Sequence, residues 1–131
     1  MPRRVVAMLV LLALATAACG GEEEAEPLSP AQTREYFTNI DALLDETVAA
    51  HEEDDTEQAA ELAGEAYLEN FEHLEPGLEE ANHELNEKLE AQLGPPFRQA
   101  IQEGMSQEEL ESRVDEIRTL LDQARAELGV A

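Results

Sequence analysis

Glu65-Ala66-Tyr67-Leu68-Glu69-Asn70-Phe71-Glu72-His73-Leu74-Glu75-Pro76-Gly77 is the stretch that decides how this chain divides into elements. Its inward positions, Ala66, Tyr67, Asn70, Phe71 and Leu74, continue a stripe begun by Ala59, Ala60 and Ala63. That spacing of three and four predicts a helix with one apolar face. Four carboxylates, Glu65, Glu69, Glu72 and Glu75, share the segment. Pro disfavours helical geometry at the residue before it, and Gly permits a turn. The stretch therefore predicts a second helix, capped by Asp55 or Thr56, that ends at Glu75.

Working outward, the flanking segments read the same way. Ser29-Pro30-Ala31-Gln32 opens a first helix, with Ser as N-cap, Pro at the first helical position and Gln completing a capping box. Its stripe is Tyr36, Phe37, Ile40, Leu43, Leu44 and Val48, with His51 on the same face, and it runs into Glu52-Glu53-Asp54-Asp55, where repeated acids oppose the helix dipole. A third helix carries Leu78, Ala81, Leu85, Leu89 and Leu93, is kinked at Gly94-Pro95-Pro96, and resumes through Phe97 and Ile101 to about Glu103. A fourth starts at the Ser106–Glu109 capping box, carries Leu110, Val114, Ile117, Leu120, Leu121, Ala124 and Leu128, and is capped by Gly129. Short connections between amphipathic helices predict an all-α, antiparallel up-down four-helix bundle over residues 29–131.

Composition agrees. Aromatics are 4% of 131 residues and Trp is absent, so the core must come from Leu, Ala, Val and Ile, which suits helix on helix better than a sheet. The formal net charge of −23 excludes nucleic acid as a partner, since that requires a basic patch. It also disfavours anionic lipid. It leaves cations, metal ions or a basic protein face, or a carboxylate coat that serves solubility in salty surroundings.

Residues 1–18 read as an export signal: Arg3 and Arg4, an apolar run from Val5 to Ala15, then Thr16-Ala17-Ala18. The single Cys19 follows at once, ahead of Gly20-Gly21. This resembles a bacterial lipoprotein signal, in which the cysteine becomes the lipidated first residue; an ordinary secretory signal is the other reading. Residues 19–28 form a polar acidic tether. The expected location is the extracytoplasmic face of the cell membrane, held by the lipid anchor alone.

The catalytic vocabulary is sparse. There is no Gly-rich phosphate loop, no His-Glu-x-x-His and no second Cys. Glu80-x-x-His83 is one of the two Glu-x-x-His pairs a di-iron bundle requires, and no second exists. An enzyme is not expected. For metal, the best cluster is Glu69, Glu72, His73 and Glu75: Glu72 and Glu75 are three apart and His73 is four from Glu69. Hard cations such as ferric iron take carboxylate oxygens; imidazole suits ferrous iron, copper or zinc, which keeps His51, His73 and His83 open for a periplasmic copper or zinc binder. Helical phase sets Glu72 about 180° and Glu75 about 120° from the core direction marked by Ala63, at the rim or outside. His51 lies at the other end of the bundle, about 30 Å from Glu75, so the two cannot share an ion.

Tyr67-x-x-x-Phe71-Glu72-x-x-Glu75 resembles a tyrosine–phenylalanine–glutamate–x-x–glutamate motif in the extracytoplasmic helical domain that accompanies bacterial high-affinity iron permeases. Glu84-Leu85-Asn86, Leu89-Glu90, Phe97-Arg98 and Ile101 look similar in order and spacing, so the likeness spans about residues 60–128. It implies a part in iron uptake, with iron as the cargo, Glu72 and Glu75 as ligands, Tyr67 and Phe71 as structural residues, and an iron permease or other membrane transport component as partner. The permease's own Arg-Glu-x-x-Glu motif and membrane helices are absent from the sequence, so this chain is not expected to be the channel. A structural or interaction lipoprotein with an acidic salt-adapted surface and no metal site is the competing expectation.

Overall fold

The computed structural model describes residues 26–131. The segment read as an export signal, Cys19 and most of the expected tether lie outside them. The described residues form an all-α structure with no strand, and none of their helices is long and apolar enough to cross a membrane.

Helix α1 (Pro30–Glu52) begins as its sequence dictates. Ser29 Oγ accepts from the Gln32 backbone N–H at 3.2 Å, and the Ser29 N–H donates to Gln32 Oε1 at 2.9 Å. The turn after α1 places Asp54 at φ 61°, and Asp55 then caps α2 (Thr56–Glu65) by accepting from the Gln58 N–H.

The expected stop at Pro76-Gly77 does not occur. Helix α3 (Glu72–Ala81) runs straight through both residues. An interior Pro costs about 3 kcal/mol, but Leu74 and Leu78 flank it at 1% and 0% exposure. Two fully buried leucines contribute about 1.5–3 kcal/mol each, so burial outweighs the proline. Gly77 is not a turn residue either. A Cβ there would meet Leu128 Cδ2 at 3.4 Å, ordinary van der Waals contact. Gly77→Ala is expected to raise stability by about 0.5–1 kcal/mol through helix propensity, read as a higher denaturation midpoint.

The break falls instead at Asn82 (φ −158°, ψ 86°), whose side chain accepts from the Leu85 N–H and so caps α4 (His83–Leu93). Asn82 Nδ2 also donates to Glu127 Oε1 at 2.8 Å, tying this corner to the end of the chain.

Between α2 and α3 the chain takes a π-helical path over Ala66–Phe71, which the sequence reading did not anticipate. A π turn holds an extra residue and rotates everything beyond it by roughly one residue, about 100°. Buried Asn70 donates to the Glu65 carbonyl at 3.2 Å, a side-chain bond inside the widened turn.

Gly94 (φ −70°, ψ −162°) separates α4 from α5 (Pro95–Gln102). A Cβ on Gly94 would stand 2.3 Å from the Glu90 carbonyl oxygen, so only glycine fits. Helix α6 (Gln107–Glu127) opens on the expected Ser106–Glu109 capping box. It meets α1 along its length: His51 touches Gln107, Asp45 pairs with Arg118, and Asp41 with Arg125. Rising numbers on α1 therefore face falling numbers on α6. One core joins all the helices, centred on Phe37, Phe71, Leu89, Phe97, Leu110 and Ile117, each 1% exposed or less.

Candidate metal site

The proposed ligands Glu69, Glu72, His73 and Glu75 do not gather at one point. Glu69 and Glu72 are exposed. The His73 ring stacks on Tyr36 of α1, centroids 4.7 Å apart and planes 13° from parallel. Glu75 goes elsewhere. It is half-buried, not on the outer rim where uniform helical phase puts it, because the π segment turns α3 relative to α2.

There Glu75 Oε1 accepts from the Tyr67 hydroxyl at 3.1 Å. Burial pushes the Glu75 carboxyl above its ordinary value; Glu90 and Glu72 push it further, while the Tyr67 bond pulls it back. Burial and the Glu75 charge hold the Tyr67 phenol up at about 12, so it stays a donor. Glu75 thus carries a charge that the folded chain disfavours. Because its folded value is raised, its contribution favours folding below its unfolded value and is lost as pH rises through the folded one. Glu75→Gln is therefore expected to raise the melting temperature at pH 7, with the advantage shrinking to nothing near pH 4. Thermal scans of both proteins across that range give the comparison.

Glu75 opens onto a groove of about 450 Å³ between α3 and α4, lined by Glu75, Pro76, Glu79, His83, Asn86, Glu87 and Glu90. Continuing the helix past Pro76 is what makes it, since it sets Glu79 one turn beyond Glu75. The sequence reading did not join Glu79, Asn86 and Glu90 to Glu75. The signal was the Asn82 cap, which competes with Pro-Gly as the helix boundary. His83 Nδ1 lies 2.5 Å from Glu79 Oε1 and its Nε2 3.3 Å from Glu87 Oε1. Glu79, first by its hydrogen bond and then by its charge, raises the His83 value. His51 is taken up at the far end, with Nδ1 against Gln107 Oε1 and Nε2 against the Met105 carbonyl oxygen.

Among the described residues, no three His, Cys, Asp or Glu side chains stand together as a ready-made metal cage. A cation drawn to this face would meet single and paired carboxylates, among them Glu75 and Glu90, which interact across the two helices. Comparison with family models, with curated proteins and with solved structures finds no match to this chain. The likeness to the iron-permease domain accordingly rests on the motif residues themselves.

Proposed function

We propose that this chain is a non-enzymatic helical lipoprotein, tethered by Cys19 outside the cytoplasmic membrane. In this reading it captures iron or presents it to an iron permease. The helices are read as an antiparallel up-down four-helix bundle whose third member, α4–α5, bends at Gly94–Pro96. The observation that carries the reading is Glu75: a motif carboxylate, half-buried against Tyr67, facing Glu90 and opening onto an acidic groove. Carboxylate oxygens suit ferric iron, and a charge that the folded chain disfavours is relieved when a cation arrives. Glu72, at the edge of the same helix, is the second ligand in this reading, while Glu69 and His73 lie outside it. The Tyr36–His73 contact brings the start of α3 against the early turns of α1, the end at which the tether enters in this reading.

Calorimetric titration of residues 26–131 with ferric and ferrous iron at physiological salt tests this. Saturable binding, lost in Glu72→Gln/Glu75→Gln, is the expected result. A melting temperature measured on the double variant without iron separates lost binding from unfolding. A ligand that binds only the folded state raises its melting temperature. No binding and no thermal shift would instead favour the structural or interaction lipoprotein with a salt-adapted surface. Saturable binding of copper or zinc, lost on replacing His51, His73 or His83 rather than the two glutamates, would favour the copper or zinc binder.

A further inference from the structure

We propose that the slot between the π segment and the start of α5 binds a short branched aliphatic carboxylate, its alkyl end in the slot and its carboxylate on Arg98. The slot has a volume of about 70 Å³ and is lined by Gly64, Tyr67, Leu68, Gly94, Pro95 and Arg98. Its wall is almost wholly apolar, since the Tyr67 hydroxyl is committed to Glu75. An apolar cavity of about 150 Å³ takes a benzene ring, so this slot has room for about three carbons, an isopropyl group.

Three features of the slot are left over once folding is accounted for. Gly64 lies inside the continuous helical run from α2 into the π segment, where glycine is less favourable than alanine. A Cβ there would meet Arg98 Cδ at 3.4 Å and Nη1 at 3.5 Å, ordinary contact with a flexible side chain, so packing does not demand glycine. What the missing side chain preserves is the slot. Leu68 is the one large apolar side chain left exposed among the described residues, and it lines the slot. An alkyl group laid against it removes apolar surface from water. Arg98 is the third. Arg118, Arg125 and Lys88 each pair with a carboxylate, and Arg113 is taken up by two carbonyls. Arg98 pairs with no carboxylate among the described residues, in a chain that has 31 acids. Its side chain lies along Gly64, which keeps the guanidinium beside the slot. A guanidinium receives a carboxylate through two parallel hydrogen bonds. The net charge of −23 opposes an anion from afar, but charges beyond about 8 Å are screened at physiological salt. Tyr67 and Leu68 also belong to the π segment, and π turns recur at functional sites. The site uses neither Glu72 nor Glu75, so it stands apart from the iron reading.

The test is titration of the full chain with sodium isovalerate, followed by amide NMR, against isoamyl alcohol and isoamylamine, which carry the same branched end. Saturable one-to-one shifts centred on Gly64, Leu68 and Arg98 are expected for isovalerate, with the alcohol about tenfold weaker for want of the charged pair and the amine weaker still. Gly64→Ala fills the slot. It should melt a few degrees higher through helix propensity and bind isovalerate about tenfold or more weakly through the lost alkyl contact. Arg98→Gln should weaken isovalerate about tenfold and leave the alcohol unchanged. Arg98 is exposed, so this variant remains informative if Gly64→Ala does not fold. Undiminished isovalerate binding by Gly64→Ala overturns the site. So does amine binding as tight as that of the acid, or the absence of saturable shifts. Iron binding is expected to be unchanged in both variants, so the two readings stand or fall separately.

Discussion

Phe71→Ala is expected to lower the unfolding free energy by about 3–5 kcal/mol, the range for removing a buried phenylalanine. Phe71 is fully buried at the end of the π segment, where its ring stacks on Tyr67 with centroids 5.9 Å apart. Close-packed helices cannot collapse onto the space it leaves, so both the transfer and the cavity contributions are lost. For a small domain worth 5–15 kcal/mol in total, that is a large fraction. Urea unfolding followed by circular dichroism reads it as a fall in midpoint with little change in slope. Leu68, the next residue but two upstream, is 47% exposed. Leu68→Ala should therefore stay within about 0.5 kcal/mol. A similar loss at both positions would contradict the burial pattern, and with it the assignment of Phe71 as a structural residue of the motif.

Arg113→Ala should cost about 2 kcal/mol, for a reason that starts with two prolines. Pro95 and Pro96 carry no N–H. The carbonyls four residues back, those of Ala91 and Gln92, therefore lose their helical donors. Arg113 of α6 supplies them: Nη2 donates to the Ala91 carbonyl and Nε to the Gln92 carbonyl, each at 3.1 Å. The guanidinium also lies over the Phe97 ring, 5.4 Å from its centroid. Hydrogen bonds from a charged donor contribute about 1.5–3 kcal/mol each when sheltered; here one of the two is exposed, which reduces the sum. Arg113→Lys should recover only part of the loss, because an ammonium cannot fork to two carbonyls in fixed geometry. Full recovery by Lys would reduce the role of Arg113 to charge alone.

Capping signals and stripes were legible because they are local. Ser29 with Gln32 and Ser106 with Glu109 form as the sequence predicts, and of the two candidate caps for the second helix Asp55 takes the place. So do the inward positions Phe37, Ile40, Leu44, Leu110, Val114 and Ile117. The misreading began at Pro76-Gly77, where local chemistry says stop and the burial of Leu74 and Leu78 says continue. That one boundary hid the Asn82 corner, and with it the meeting of Glu75 and Glu79 with Asn86 and Glu90. The π segment had the same effect on phase. Angles counted at 100° per residue set Glu75 outside, and an inserted residue turned it in.

The sequence by itself determined that these residues are helical, where two of the helices begin and which faces they bury, because propensity, caps and periodicity act within a few residues. It also determined the acidic character of the surface. Only the tertiary structure decided what the Glu65–Gly77 stretch does. Packing energy against other helices overrode a proline, admitted a π turn, and moved Glu75 from the rim to a sheltered place between Tyr67 and Glu90. Those outcomes depend on contacts between residues far apart in the chain, which no local pattern encodes.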